Sequence, residues 1–181
     1  MGRDKATIVH PVDGETLAVR TARLLSSVAA PVLEVGRGYS GLPRAPESLP
    51  GQGPLAAVAS GHAQLRRLGW TGSVLVLATD LPNLTRELLD WLAAEPGHAS
   101  VIPVVAGRPQ PLCARYSERD TERAAQLVRS GRKAMADLLE AIAPGYRCED
   151  SWPRGVTAAA FLDADTPDDL ASGPGGTEAT S

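Results

Sequence analysis

Apolar positions along the chain follow two different spacings, which predict helices in some segments and buried strands in others. Between residues 16 and 28, Leu17, Leu24, Leu25 and Val28 lie on one face of a helix. Helices are also predicted over 53–69, 85–95, 122–131 and 133–142. Apolar runs of strand length occur at 31–36, 73–80, 99–107 and 110–117, with a weaker one at 146–150.

The alternation of strands with helices predicts an α/β fold, with a mostly parallel sheet and helices on both of its faces. The run 74–78 is apolar at every position, which is typical of a strand covered on both sides. No repeat or linker divides the chain. We therefore predict one domain over residues 1–170, followed by a disordered, Gly-rich tail over 171–181.

Composition and charge exclude several classes of protein. The 181 residues are 43% hydrophobic and 22% charged, with a formal net charge of −3, as in an ordinary globular domain. The sequence has no run of basic residues that would indicate binding to a nucleic acid. It also has no apolar stretch that approaches the roughly 20 residues needed to span a membrane. Cys113 and Cys148 lack metal-ligand spacing and no signal peptide is evident, which indicates reduced thiols in a cytoplasmic protein.

Two segments offer carboxylates for chemistry. Asp80 follows the run 74–78, so it is predicted at the carboxyl end of a strand, where ligands bind in α/β sheets. A carboxylate there can bind Mg²⁺ and so help to neutralise a triphosphate; alternatively, Asp80 caps the next helix or begins a turn. Asp163 and Asp165 are a second pair of carboxylates, which could face the same metal. Alternatively, they belong to the acidic first turn of a helix that Thr166 caps.

Two further segments could approach phosphate groups. Gly51 and Gly53 precede Pro54, the predicted first residue of a helix whose free N–H groups can bind an anion. The plainer alternative is a Gly-Pro helix entry. Lys5, in the opening "MGRDKA", is either a phosphate ligand or part of a solvated terminal charge run.

Taken in order, these segments resemble the molybdenum cofactor guanylyltransferase (MobA-like) family. The opening "MGRDKA" resembles the end of the family signature L-A-G-G-x-S-x-R-M-G-x-D-K, and "GQGPLAAVASG" resembles its G-P-L-A-G segment. "TDLPNL" resembles the C-D-x-P motif, and "FLDADTPDDL" the N-x-N-T-P-E-D-L ending. "GRPQPLCARY" resembles the strand before the C-terminal helices, so the likeness extends from Met1 to Leu170. It implies a three-layer, Rossmann-like nucleotidyltransferase fold.

The resemblance also implies a reaction, in which the GMP part of GTP is joined to molybdopterin and pyrophosphate is released. Lys5 would bind the GTP phosphates, Asp80 would hold Mg²⁺, and Gly53 would approach the nucleotide. Glu47 would take the place of a nucleotide-contacting acid, and Asp163 and Asp165 would face the metal or the pterin, Asp165 as a further metal ligand. The implied partners are GTP, molybdopterin and molybdoenzyme apoproteins.

This chain departs from the family pattern at two places. Asp163 and Asp165 stand where guanylyltransferases usually carry Asn, an ending closer to that of the cytidylyltransferases. A molybdopterin cytidylyltransferase, or another small-molecule nucleotidyltransferase, is therefore an alternative. The other departure is at the start: Met1 falls inside the phosphate-loop signature, so the first strand of the fold and half of the loop are missing. A start codon set too far downstream would explain this, as would a non-catalytic, cofactor-binding paralogue that has lost its phosphate loop.

Overall fold

The computed structural model describes residues 4–46 and 51–164. The helices in these ranges are α1 (Leu17–Ser26), α2 (Pro54–Arg67), α3 (Arg86–Ala94), α4 (Glu118–Arg129) and α5 (Met135–Ala141). The strands there are β1 (Glu34–Val35), β2 (Arg44–Ala45), β3 (Val74–Leu77), β4 (Val101–Val105), β5 (Arg108–Pro109), β6 (Cys113–Tyr116) and β7 (Gly145–Cys148). The predicted alternation of strands and helices is thus confirmed, although β1 is shorter than predicted and β2 and β5 lie outside the predicted strands.

Local sequence signals explain where the helices begin. The side chains of Thr16, Thr85 and Ser117 accept hydrogen bonds from backbone N–H groups in the first turns of α1, α3 and α4. Such caps satisfy N–H groups that have no partner within the helix. Helix α2 begins at Pro54, as predicted, because proline has no N–H group to leave unpaired at that position.

The described strands form two separate sheets, a parallel pair and a larger sheet of mixed direction. β1 and β2 pair in parallel, and the second sheet has the order β3-β6-β4-β5 with β7 beside β4. In that sheet β6 is antiparallel to both β3 and β4, whereas β7 is parallel to β4. The α/β class is confirmed, but among the described residues the expected mostly parallel sheet is a mixed one. The connection from β4 to β6 is too short for the crossover that parallel neighbours need.

Helices cover both faces of the larger sheet, which makes three layers. Leu75 and Leu77 pack against a cluster that includes α3 and Leu24 of α1. Val74 and Val76, on the opposite face, pack with residues of α2, α4 and α5. Alternate residues of a strand point to opposite faces, so β3 contributes to both cores. This confirms that the run 74–78 is a strand covered on both sides.

The two sheets do not join. A cavity of about 910 Å³ lies between them, lined by α1, α2, β1 and β3. We call this cavity the inter-sheet slot. In the described part of the chain, both cysteines are free thiols, and no helix is long and apolar enough to cross a membrane.

Candidate functional site

The opening segment is folded and partly buried. A 3₁₀ turn at Lys5–Thr7 begins at Asp4, whose carboxylate accepts a hydrogen bond from the backbone N–H of Ala6 at 3.3 Å. Ala6 and Ile8 are only 8% and 3% exposed. A loose terminal segment would not bury these side chains, so the segment that carries Lys5 is folded, and the role of Lys5 as a phosphate ligand stays a prediction. The turn fixes the backbone from which the Lys5 side chain projects.

Lys5 brings two of the predicted carboxylates together. Its Nζ lies 3.8 Å from Oδ2 of Asp80 and 3.7 Å from Oδ2 of Asp163. The three residues come from the start, middle and end of the chain, and their side chains are 37%, 28% and 63% exposed in the order Lys5, Asp80, Asp163. They form an open, charged cluster that a ligand can reach from solvent.

The position of Asp80 follows from β3. The strand ends at Leu77, and Asp80 stands three residues beyond its carboxyl end, where ligands bind in α/β sheets. The backbone O of Asp80 accepts a hydrogen bond from the N–H of Ala164 at 3.0 Å, which ties Asp163 to the same sheet edge. Asp80 does not cap α3, because Thr85 has that role, but a turn at Pro82 and Asn83 does follow it. The role of Asp80 as a metal ligand stays a prediction.

The cluster offers groups for both an anion and a cation. The Lys5 ammonium can pair with phosphate oxygens as a point charge. Magnesium is usually held by one or two carboxylates together with substrate phosphates and water, and Asp80 and Asp163, both within 4 Å of one Nζ, supply such a pair. The donor set therefore fits Mg²⁺. Within the described residues no group of three or more His, Cys, Asp or Glu could hold a metal by protein ligands alone.

A second charged arrangement flanks the cluster and was missed by the sequence predictions. Arg37, just beyond β1, places Nη1 3.2 Å from Oδ2 of Asp4. Glu34 of β1 accepts hydrogen bonds from the backbone N–H groups of Gly38, Tyr39 and Ser40 and from the Ser40 hydroxyl, at 2.6 to 2.9 Å.

Burial raises the pKa of Glu34, but the hydrogen bonds from Ser40, Tyr39 and Gly38 outweigh it, so the pKa lies below its usual value. Glu34 therefore remains ionised and fixes the loop that carries Arg37. Glu34 could have been identified from the sequence, because it is a polar residue near the end of a predicted strand and a Gly-rich stretch follows it.

The backbone conformation and the local packing explain why residue 53 is a glycine. Its φ is +87°, in the left-handed region that favours glycine. A Cβ at this position would lie 2.9 Å from the backbone O of Lys133, which also accepts a hydrogen bond from the Leu55 N–H at 3.4 Å. The start of α2 thus packs closely against the connection between α4 and α5. This packing accounts for the glycine and leaves its role toward a nucleotide untested.

The predicted site residues divide into two groups. Lys5, Asp80 and Asp163 are brought together, and Gly53 lies at the start of α2. Glu47 and Asp165 fall outside the described residues, as does the predicted cap at Thr166. The roles implied for Glu47 and Asp165 remain predictions.

Comparison of the sequence with known proteins identifies a matching family and several relatives. The sequence model of the MobA-like NTP transferase domain matches residues 1–143. The "Probable molybdenum cofactor guanylyltransferase" of Mycobacterium tuberculosis strain H37Rv is 36% identical over 148 residues, covering 78% of this chain and 73% of that protein. The protein of the same name from Mycobacterium avium is 32% identical over 150 residues, covering 78% and 75%.

Comparison with solved structures supports the fold. Molybdopterin-guanine dinucleotide biosynthesis protein A from Archaeoglobus fulgidus superposes with a TM-score of 0.70, covering 94% of this chain and 88% of that one. The two sequences are 23% identical, so the likeness bears on architecture. The superposition thus supports the overall fold of this chain.

Proposed function

The chain belongs to the MobA-like NTP transferase family, and from that premise we propose that it transfers GMP from GTP to molybdopterin and releases pyrophosphate. The observation that carries the proposal is the cluster of Lys5, Asp80 and Asp163 at the carboxyl edge of β3. It combines one cation with two carboxylates at an edge where nucleotides bind in α/β folds. Nucleotidyl transfer depends on this kind of positioning and charge neutralisation.

In the proposed reaction a phosphate oxygen of molybdopterin attacks the α-phosphorus of GTP. The new P–O bond forms as the bond between the α-phosphorus and the bridging oxygen breaks, and pyrophosphate leaves with that oxygen. The Lys5 ammonium pairs with phosphate oxygens and thereby orients the triphosphate. Mg²⁺, held by Asp80 and Asp163, supplies charge neutralisation when bound.

The remaining predicted residues complete the proposal. Asp165 is a further ligand of Mg²⁺, and Glu47 and Gly53 contact the nucleotide. The product is handed to molybdoenzyme apoproteins. The exposure of Asp163, whose side chain is 63% accessible, leaves room on that side of the cluster for the pterin substrate.

Nucleotide preference tests the proposal. Purified protein is incubated with molybdopterin and Mg²⁺ and with either GTP or CTP, and pyrophosphate and the dinucleotide product are quantified. We expect kcat/KM for GTP to exceed that for CTP by at least about 100-fold, because a site that hydrogen-bonds one base leaves buried groups unpaired with the other. Preference for CTP would replace the proposal with cytidylyl transfer, the alternative that Asp163 favours. Binding of molybdopterin without transfer of either nucleotide would indicate the non-catalytic alternative.

A further inference from the structure

Residues 80–84, which we call the Asp80 loop, lie between β3 and α3. Leu81 and Leu84 pack in the core and are 6% and 0% exposed, and the N–H of Leu84 donates to the O of Leu81 at 3.3 Å. This turn uses the Leu81 carbonyl and leaves the carbonyls of Pro82 and Leu84 to other donors. Because an unpaired acceptor in a buried segment costs free energy, such groups normally find a donor elsewhere in the fold.

Arg20 of α1 is the donor to both of these carbonyls. Its Nε donates to the O of Pro82 at 3.2 Å, and its Nη2 donates to the O of Leu84 at 3.3 Å. The third nitrogen, Nη1, donates to Oδ2 of Asp13. The side chain of Arg20 is 19% exposed. All three guanidinium nitrogens are thus bonded, in a planar arrangement that lysine cannot reproduce.

Asp13 holds the guanidinium of Arg20 from the side opposite the Asp80 loop. Its Oδ1 accepts a hydrogen bond from the N–H of Glu15 at 3.3 Å, and its Oδ2 lies 3.5 Å from Nη2 of Arg23. Burial raises the pKa of Asp13, but the hydrogen bonds from Glu15 and Arg20 outweigh it, so the pKa lies below its usual value. Asp13 therefore remains ionised and fixes the orientation of Arg20.

The helix that carries Arg20 is also tied to Lys5. The O of Lys5 accepts a hydrogen bond from the N–H of Ile8 at 3.0 Å, and the O of Ile8 accepts one from the N–H of Leu17 at 2.9 Å. Leu17 is the first residue of α1. Backbone hydrogen bonds thus connect Lys5 to α1, and Arg20 connects α1 to the Asp80 loop. The distance of 3.8 Å between Nζ of Lys5 and Oδ2 of Asp80 depends on both connections.

We propose that Arg20 is a positioning residue for nucleotidyl transfer, which holds the Asp80 carboxylate beside Lys5 by fixing the carbonyls of Pro82 and Leu84. The inference rests on the proposed function, in which Asp80 and Lys5 act on the triphosphate. A displacement of a catalytic group by about 1 Å can lower a rate by about 100-fold. Loss of the guanidinium would free the Asp80 loop to shift by such a distance.

Arg20→Lys tests the proposal, with Arg23→Lys as the matched control. Lysine keeps the charge, but its single nitrogen cannot donate in the same geometry to Asp13, Pro82 and Leu84. Arg23 lies on the same helix, is 51% exposed, and pairs with Glu15 at 2.8 Å. Rates are measured with saturating GTP and molybdopterin over a range of Mg²⁺ concentrations.

We expect Arg20→Lys to lower kcat by at least about tenfold and to raise the Mg²⁺ concentration that gives half the maximal rate by about fivefold. The kcat of Arg23→Lys should stay within about twofold of that of the unchanged protein. An unchanged kcat in Arg20→Lys would overturn the proposal, as would equal losses in the two variants.

A double-mutant cycle separates positioning from a merely structural role. If Arg20 acts through the carboxylate of Asp80, Arg20→Lys should change kcat by less than about twofold in the Asp80→Asn protein, where that carboxylate is already lost. A general loss of folded protein would lower the rate by the same factor in both backgrounds. Equal factors in the two backgrounds would therefore overturn the proposal.

A measurement without nucleotide distinguishes failure of this inference from failure of the proposed function. Amide hydrogen exchange is followed by NMR at Leu84 and at Ala164, whose N–H donates to the O of Asp80 at 3.0 Å. Ala124, a fully buried residue of α4, is the internal reference.

We expect exchange at Leu84 and Ala164 to become at least about fivefold faster in Arg20→Lys, relative to Ala124, and to be unchanged in Arg23→Lys. Unchanged exchange in Arg20→Lys would overturn the proposal whatever the kinetics show. Absence of nucleotide transfer by the unchanged protein would instead refute the proposed function, and the exchange data would still decide whether Arg20 holds the Asp80 loop.

Discussion

At the scale of single residues, Asp80 combines a position beyond the end of β3 with an ion pair to Lys5. Because Asn keeps the size of the side chain but lacks its charge, Asp80→Asn tests the charge alone. We expect kcat for nucleotidyl transfer to fall by about 100-fold or more, since the lost carboxylate acts mainly on charge in the transition state. Steady-state kinetics over a range of Mg²⁺ concentrations is the measurement.

Asp90→Asn is the matched control for Asp80→Asn. Asp90 is an exposed carboxylate on α3, 3.2 Å from Arg86 one helical turn away, and such pairs contribute little to stability. Its kinetics should equal those of the unchanged protein. Near-normal transfer by a folded Asp80→Asn protein would remove Asp80 from the proposed site.

Glu34 gives a prediction about pH. Its pKa in the folded chain lies below the usual value, so the hydrogen bonds to its carboxylate stabilise the fold most fully above the ordinary glutamate pKa of about 4.3. This stabilisation is lost as the pH falls through the lower folded value. Urea unfolding of Glu34→Gln and of the unchanged protein should therefore differ at pH 7, and the difference should shrink on acidification below about pH 4.

Glu140→Gln provides the control, because Glu140 is an exposed glutamate on α5. Its stability should follow that of the unchanged protein across the same pH range. A difference between Glu34→Gln and the unchanged protein that stays constant from pH 7 to pH 3 would show that the Glu34 hydrogen bonds do not depend on its charge.

At the scale of elements, the start of α2 depends on the backbone of Gly53. Alanine there would adopt a left-handed φ and would place Cβ 2.9 Å from the Lys133 carbonyl oxygen. Gly51→Ala is the matched control, because Gly51 has a φ of +74° but, apart from its chain neighbours, no atom of the described residues within 4 Å of the added Cβ. We expect Gly53→Ala to lower the free energy of unfolding by about 1 kcal/mol more than Gly51→Ala. Equal losses in urea titrations would show that the Lys133 contact relaxes without cost.

At the scale of the whole molecule, the sequence predicts that the domain ends at Leu170. A chain ending there should unfold at the same temperature as the full chain and keep its activity. A chain ending at Ala159 loses Phe161 and Ala164, which are 6% and 0% exposed, as well as Asp163. It should lose about 3 kcal/mol or more of stability. A fall in melting temperature on removal of residues 171–181 would show that the folded domain extends beyond Leu170.

Much of the fold could be predicted because its signals are local. Thr85 and Pro54 mark helix starts through hydrogen bonds and backbone angles set within a few residues. The run 74–78 identifies β3 because a strand covered on both faces needs apolar side chains at every position. Lys5, Asp80 and Asp163 could be named because each lies in a short motif whose order resembles that of a known family.

The tertiary structure alone decided how these segments meet. The Lys5 ammonium lies within 4 Å of both Asp80 and Asp163. This proximity depends on contacts between residues more than 70 positions apart, which no local sequence pattern encodes. Glu34 receives its hydrogen bonds only once the following loop has folded around it. The slot between β1 and β3 arises because backbone groups pair between strands distant in sequence, and side-chain patterns do not record which edge is left unpaired.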